Sequence, residues 1–354
     1  IVAERMLLLD QAIQTFTFEN VVSEPVVSLL RDFSAPVQLN YDYQDEDLAF
    51  LLKYETNGFN RWQVTQMLVN RILLQGQGEK SSPDVYLEAL AQAFPELAAN
   101  DAMLAARLLD IPSAHELASA IHKDYDPELV KAQREGLYQQ LALALKDQWS
   151  ELYKQLPMQA YEDSAEASGN RALRNVVLDM ALTANVDGAT EWAEQQYDNA
   201  SCMTERFGAL KAMVNHQLAN ADKYLADLWF SVQASADAVT PDTIKSLLAH
   251  NDFDWNTPNR VRSVISAFTS QPTVLWTPEG LDIYIAVIKK LDDANPVLAS
   301  RLLQVLARWN TLAEPRRQMA HEQLLELQKQ ATSKHVIESL NSVLGAANEG
   351  SASA

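Results

Sequence analysis

From Asp45 onward, apolar residues recur every three to four positions, which is the period of an amphipathic α-helix. In the first such stretch, Leu48, Leu51 and Leu52 share one helical face. The next stretch continues the spacing, with apolar positions at Trp62, Val64, Met67, Leu68, Ile72 and Leu73. The pattern over most of the chain therefore predicts helices that each bury one face.

Several of these helices have a recognisable start. A capping residue is followed by proline, which loses no hydrogen bond at the first helical position. The pairs are Ser82-Pro83, Asp126-Pro127, Thr240-Pro241, Thr257-Pro258 and Thr277-Pro278. We expect about a dozen or more helices with short connections, the longest run over about 127–156 and the longest loop over 157–170.

No strict repeat period accompanies these helices. The pattern therefore predicts a mainly α fold, an irregular stack of helical hairpins and not a consensus solenoid. Only 10 glycines in 354 residues also favour helices over a turn-rich β fold.

Residues 1 to about 40 follow a different pattern. Short apolar or alternating runs are broken by Asn, Pro and Ser, and Phe16 and Phe18 fall on one face of a predicted strand. These strands are too few to close a sheet alone. The chain also opens without Met, so we expect a short N-terminal β segment that pairs with preceding sequence.

The charge is strongly acidic, with a formal net charge of −19. Such a surface repels a phosphate backbone, so we expect no nucleic-acid partner; solubility is the simplest explanation of the charge. No run of eighteen apolar residues appears, so no membrane span is expected. The single cysteine, Cys202, fits a reducing compartment, and we expect a cytoplasmic protein.

Candidate chemistry is sparse. Two segments approach the zinc motif H-E-x-x-H, which places two histidines on one helix face. His115-Glu116 is followed by Ser119 where the second histidine is needed, and His321-Glu322 by Leu325. Neither a serine-nucleophile elbow nor a phosphate-binding glycine loop is present. The sequence therefore predicts no metal site and no self-contained active site in this chain.

Six short motifs resemble, in the same order, the C-terminal part of the bacterial aminopeptidase N family of zinc-dependent aminopeptidases. No single motif is diagnostic, but together they are fairly specific and span essentially the whole chain. The motifs are PVVSLLRDFSAPV from Pro25, FNRWQVTQ from Phe59, RALRN from Arg171, Met203-Thr204, NTPNRVRSVISAF from Asn256 and NPVLASRL from Asn295. Departures include Val27 for a proline and Cys202 for an asparagine of the family pattern.

The resemblance implies two parts: residues 1–40 as the incomplete end of a β-sandwich domain, and residues 41–354 as a C-terminal α-helical domain. In the family this helical domain curves into a HEAT/armadillo-like bowl that covers the active site and restricts access to it. The catalytic zinc and the peptidase residues lie upstream. The implied partners are the upstream catalytic and β domains of the same polypeptide and a peptide substrate.

Carried across position by position, the resemblance points to Arg262, Arg301 and Asn259 as residues that line the substrate cavity. Guanidinium groups suit carboxylates and carbonyls on the C-terminal side of a peptide. On the helix that starts at Pro258, Arg260 and Arg262 flank an apolar stripe on opposite sides. Two alternatives remain open: Arg262 and Arg301 form structural ion pairs, or the chain is a free-standing helical-repeat scaffold that binds a protein or peptide.

Overall fold

A computed structural model describes residues 4–37, 39–74, 82–218 and 229–349. Within these ranges the chain forms 18 α-helices and no β-strand. The α-helices are Asp45–Tyr54, Gly58–Leu73, Pro83–Asn100, Ala102–Leu108, Ala114–Ala120, Pro127–Ala144, Lys146–Gln155, Ala165–Thr183, Ala189–Asn199, Met203–Asn215, Trp229–Ser235, Pro241–Leu248, Pro258–Thr269, Pro272–Leu275, Pro278–Ala294, Pro296–Leu303, Arg316–Gln330 and Lys334–Glu349. Short 3-10 helices occupy Arg31–Phe33 and Gln304–Thr311. The predicted mainly α, superhelical stack is confirmed.

The first 40 residues show the sequence pattern of β-strands, but the described part of this segment forms no strand. Over 4–30, no backbone–backbone hydrogen bond joins described residues. Apolar side chains there are exposed, among them Met6 at 96%, Ile13 at 88% and Val22 at 101%. The reason is physical: a strand needs a neighbouring strand for its N–H and C=O groups, and this segment offers none.

The predicted helix starts agree closely with the structure. Each of the five prolines lies in the first turn of a helix, as do Pro272 and Pro296. Four of the five preceding side chains accept a backbone N–H at the helix start. Thr257 differs, since its hydroxyl donates to Asp254 at 2.6 Å.

The predicted long run over 127–156 is two helices, separated at Leu145, which lies outside helical geometry with ψ 14°. Trp149, at the start of the second helix, donates its indole N–H to the Ala142 carbonyl at 2.8 Å. Its ring packs on Phe94 with 5.8 Å between centroids. Burying this large side chain fixes the bend between the two helices.

Two helical hairpins use the same construction at distant points in the chain. Asp101 and Asn295 each separate a long helix from a short one, and both have an unusual backbone, φ −148°, ψ 83° and φ −153°, ψ 76°. Each side chain accepts the N–H three residues later. In each hairpin a buried tyrosine of the long helix, Tyr86 or Tyr284, donates to a carbonyl of the short one. These are structural repeats without a sequence period.

One hydrophobic core runs through the described chain, from Tyr43 to Val343. It also joins distant parts of the sequence. Tyr125 and Leu312 form an isolated parallel bridge, and Arg316 binds Asp126 and Glu128 beside it. The middle of the chain therefore packs directly against its C-terminal third.

Candidate functional site

Several polar residues in the resemblance motifs hold the fold together. Arg31 is the first example: its guanidinium reaches Glu55 at 3.0 Å, Glu4 at 2.6 Å and the Thr56 hydroxyl at 2.7 Å. The Glu55 side chain is only 2% exposed. Burial raises the pKa of Glu55. The hydrogen bonds from Ser28 and Asn57 and the charge of Arg31 together lower it by more, so the pKa of Glu55 lies below its ordinary value.

The second motif works in the same way. Asn60 donates to the Leu29 carbonyl at 2.7 Å, and Arg61 donates to the Leu52 and Lys53 carbonyls at 2.6 and 2.8 Å. Those two carbonyls end the helix Asp45–Tyr54, where a cation is favourable. The motif thus joins the N-terminal segment to the first two helices.

Arg174 is the most enclosed of these arginines, at 7% exposure. It lies over the Tyr153 ring at 4.0 Å and donates to Gln196 Oε1 at 3.1 Å. Gln196 in turn donates to Asn175 Oδ1 at 2.7 Å. The RALRN motif is therefore the centre of a buried polar network.

The helix Pro258–Thr269 gives a different result. Its predicted apolar stripe is fully buried, with Val261, Val264, Ile265 and Phe268 all at 0% exposure. Arg260, on one flank, lies over the Phe230 ring at 4.9 Å. Arg262, on the opposite flank, is exposed and donates to Asn259 Oδ1 at 3.5 Å, a long contact.

Arg301 is also exposed, near the end of the helix Pro296–Leu303. Among the residues that the structure describes, neither Arg262 nor Arg301 forms an ion pair with a carboxylate. No hydrogen bond joins Arg301 to Arg262 or Asn259. The structure thus brings Asn259 and Arg262 together and leaves Arg301 on a separate helix.

One buried residue connects the two arginine-bearing helices. Tyr284, at 0% exposure, packs on Phe268 with 6.2 Å between ring centroids and donates to the Leu302 carbonyl at 2.9 Å. Phe268 belongs to the helix of Arg262, and Leu302 follows Arg301. Both helices are therefore held on the helix Pro278–Ala294, which limits their relative movement.

Chemically, an exposed guanidinium without an acidic partner presents a planar fork of N–H donors. Such a group binds a carboxylate in a bidentate manner or donates to peptide carbonyls. The assignment of Asn259, Arg262 and Arg301 to a substrate cavity remains a prediction.

The two incomplete zinc motifs have structural roles. Glu116 accepts the backbone N–H and hydroxyl of Ser113, both at 2.7 Å, and these hydrogen bonds lower the pKa of Glu116. His321 stacks on Trp309 at 4.5 Å with an interplanar angle of 2°. In the described ranges, no three His, Cys, Asp or Glu side chains are grouped so that they could hold a metal ion.

Sequence reasoning missed two features. An acidic pair such as Asp292-Asp293 is typical of a solvated helix end, whereas Asp292 is 5% exposed and caps the turn before the last helix. Sequence reasoning also gave no role to Tyr125, whose hydroxyl is buried without a hydrogen-bond partner among described residues. No local signal identifies either, because both depend on segments distant in sequence.

None of the described helices is both long enough and apolar enough to span a membrane. The stack of helical hairpins with a continuous core defines an α-helical repeat protein of the ARM type. A family model described as "Domain of unknown function (DUF3458_C) ARM repeats" matches residues 45–345. The chain belongs to this family. A second model, described as "Domain of unknown function (DUF3458) Ig-like fold", matches residues 1–42.

Relatives of this chain include aminopeptidases. The chain is 32% identical over 328 residues to aminopeptidase N of Escherichia coli (strain K12). This match covers 86% of this chain and 37% of that protein. Aminopeptidase N of Haemophilus influenzae is 30% identical over 337 residues, and this match covers 88% of this chain and 38% of that protein. The structure of Legionella pneumophila aminopeptidase A in complex with aspartic acid matches with a TM-score of 0.83 at 28% identity, over 98% of this chain and 44% of that one.

The chain thus spans about two fifths of the length of these relatives. The resemblance to the C-terminal part of the aminopeptidase N family is confirmed.

Proposed function

We propose that this chain is the non-catalytic helical C-terminal domain of a zinc aminopeptidase N, covering the active site and shaping the access of peptides. The parent polypeptide would remove N-terminal residues from peptides, in the cytoplasm. The observation that carries the proposal is the match to an aminopeptidase structure along 98% of this chain, together with aminopeptidase N relatives of which the chain covers 37–38%.

Within this proposal, residues 1–40 are the end of a β-sandwich domain and residues 41–354 the helical domain. The exposed apolar residues of the first segment support this division, since Met6, Ile13 and Val22 would be covered by preceding strands of the same polypeptide. Arg31 and Asn60 then fix the orientation of the β domain relative to the first helices.

The zinc ion of the parent would be held outside this chain. Zinc sites in proteins use three or four His, Cys, Asp or Glu side chains, and the described residues do not bring such a set together. The described residues therefore do not fit the metal, and we propose no catalytic role for them.

The zinc assignment is tested with the full-length polypeptide and with the 354-residue chain alone. Full-length protein should bind zinc stoichiometrically and hydrolyse an aminoacyl anilide, and both properties should be absent from the chain alone. Tight zinc binding with turnover by the chain alone would contradict the proposal. A native gene product that starts near Ile1 would favour the free-standing scaffold instead.

The role of Arg262 and Arg301 is to attract carboxylates or carbonyls on the C-terminal side of the peptide. In the full-length polypeptide, Arg262→Ala and Arg301→Ala should raise KM for peptides about 5-fold or more, equivalent to about 1 kcal/mol. A single-residue anilide has no such C-terminal side, so its KM should change little.

Two controls sharpen this test. Arg107→Ala removes another exposed arginine, 63% accessible, from a different helix and should affect both substrates equally little. Arg262→Lys keeps the charge but removes the planar fork and should restore only part of the peptide binding. Equal losses on peptide and anilide would show that the arginines are structural.

A further inference from the structure

A small cavity lies where three distant segments meet, around residues 115–125, 269–276 and 305–312. Its volume is about 30 Å³, which holds two or three water-sized spheres at roughly 10–15 Å³ each. Most of its wall is apolar. The polar side chains that line it are His115, Tyr125, Thr269, Arg308 and Thr311.

The Tyr125 side chain has an unmet hydrogen-bonding capacity at this cavity. Tyr125 is 3% exposed, and its hydroxyl has no hydrogen-bond partner among described residues. Its backbone is fixed on both sides, since its N–H donates to Thr311 at 2.8 Å and its carbonyl accepts from Ala313 at 2.9 Å. Burial raises the pKa of Tyr125 well above its ordinary value, so the hydroxyl is protonated and can donate.

Arg308 adds an uncompensated positive charge. Its side chain is half-buried, and it forms no ion pair or side-chain hydrogen bond with a described residue. None of the residues that line the cavity is a carboxylate. Asp126 and Glu128, the acidic residues close to Tyr125, bind Arg316. The chain has a net charge of −19, yet no residue that lines this cavity is acidic.

We propose that the cavity binds a small monovalent anion of the halide class, chloride under ordinary conditions, between the Tyr125 hydroxyl and the Arg308 guanidinium. One cation balances one negative charge, and the small size of the cavity suits a monatomic anion. The apolar wall strengthens both interactions because it lowers the local dielectric. Thr269 and Thr311 donate their hydroxyls to carbonyls of their own helices and are not needed.

The anion would join three segments that meet only in the folded protein. Since the unfolded chain cannot form this site, halide binding should stabilise the fold in a concentration-dependent manner. The proposal is independent of peptidase activity, so its success or failure leaves the proposed function unaffected.

The first experiment is crystallographic. Crystals of the full-length polypeptide in sodium bromide should show an anomalous peak within hydrogen-bond distance of Tyr125 Oη and Arg308. No peak at this position would contradict the proposal.

The second experiment measures Tm while bromide replaces gluconate at constant ionic strength. The wild-type Tm should rise by about 2 °C or more. Tyr125→Phe and Arg308→Gln should each lose at least half of this rise. In gluconate Tyr125→Phe should melt no lower than wild type, because it removes a buried hydroxyl without a partner.

Tyr86→Phe is the matched control. Its hydroxyl is also buried but donates to the Leu108 carbonyl, so this variant should be destabilised equally in both salts and keep the full bromide response. A bromide response that Tyr125→Phe retains would overturn the proposal. So would a crystal peak without a bromide effect on wild-type Tm, which would indicate an adventitious ion only.

Discussion

At the scale of single residues, the surroundings of an arginine distinguish its roles. Arg31, Arg61 and Arg174 each bind buried acceptors that belong to other helices or segments. Arg262 and Arg301 have the same side chain in similar motifs, yet both are exposed and without an acidic partner among the described residues. Burying and pairing a guanidinium makes it structural, whereas leaving it solvated keeps it available to a ligand.

Asp292 provides a residue-scale prediction. Its carboxylate accepts the N–H of Thr332 at 2.7 Å, the Thr332 hydroxyl at 3.0 Å and the N–H of Ser333 at 3.2 Å. Asp292→Ala should lower the free energy of unfolding by about 2 kcal/mol, because three hydrogen-bond donors lose a charged acceptor that is itself buried. Urea unfolding measures this, and Asp293→Ala, at the exposed neighbour, should change it by less than about 0.5 kcal/mol.

The same residue predicts a pH dependence. Burial raises the pKa of Asp292, but the hydrogen bonds from Ser333 and Thr332 lower it more, so its pKa lies below the ordinary 3.8. Its contribution is therefore present above the unfolded-state pKa and is lost as pH falls through the lower folded-state pKa. The stability difference between wild type and Asp292→Asn should shrink between pH 5 and about pH 3. A constant difference would contradict this.

At the scale of elements, the start of the helix Pro278–Ala294 is set by a close approach of two backbone segments. Thr277 caps this helix by accepting the N–H of Gly280 at 3.0 Å. A Cβ at position 280 would lie 1.9 Å from the Val274 carbonyl oxygen. Only glycine allows the short helix Pro272–Leu275 to pack so closely on the next one.

Gly280→Ala should therefore destabilise the protein by about 1–3 kcal/mol, since backbone atoms must move to accommodate the methyl group. Gly136→Ala is the matched control: it also lies in a helix, but a Cβ there has nothing within 4 Å. That variant should gain about 0.5–1 kcal/mol. Thermal unfolding of both variants measures these changes. A Gly280→Ala protein as stable as wild type would show that the two segments separate easily.

At the scale of the whole molecule, the helices form one core, whereas the first residues do not join it through backbone hydrogen bonds. From 4 to 30 the described chain has no backbone–backbone hydrogen bond. In the isolated chain, amides over these residues should exchange with solvent at nearly free-peptide rates. In the full-length polypeptide they should be protected at least 100-fold, because preceding strands would pair with them.

Hydrogen exchange measured by mass spectrometry tests this in both proteins. The amides of the helix Pro278–Ala294 serve as the internal control and should be protected in each. Equal exchange of the N-terminal segment in both proteins would contradict its proposed place in a β-sandwich domain.

Much of the architecture could be predicted because it depends on local sequence. Ser82-Pro83 and Thr277-Pro278 start helices through hydrogen bonds within a few residues. The apolar stripe from Val261 to Phe268 fixes which face of its helix is buried. The separation of Arg260 from Arg262 follows from the same periodicity, and their different surroundings agree with it.

The sequence by itself determined the class of fold, the helix starts, the buried faces and, through its motifs, the family. Only the tertiary structure decided which polar residues are structural. Asp292, Arg174 and Tyr125 owe their roles to partners 40, 22 and 187 positions away, Thr332, Gln196 and Leu312. Helical periodicity reports which side chains share a face, but not which faces meet, because that is fixed by packing across the whole core.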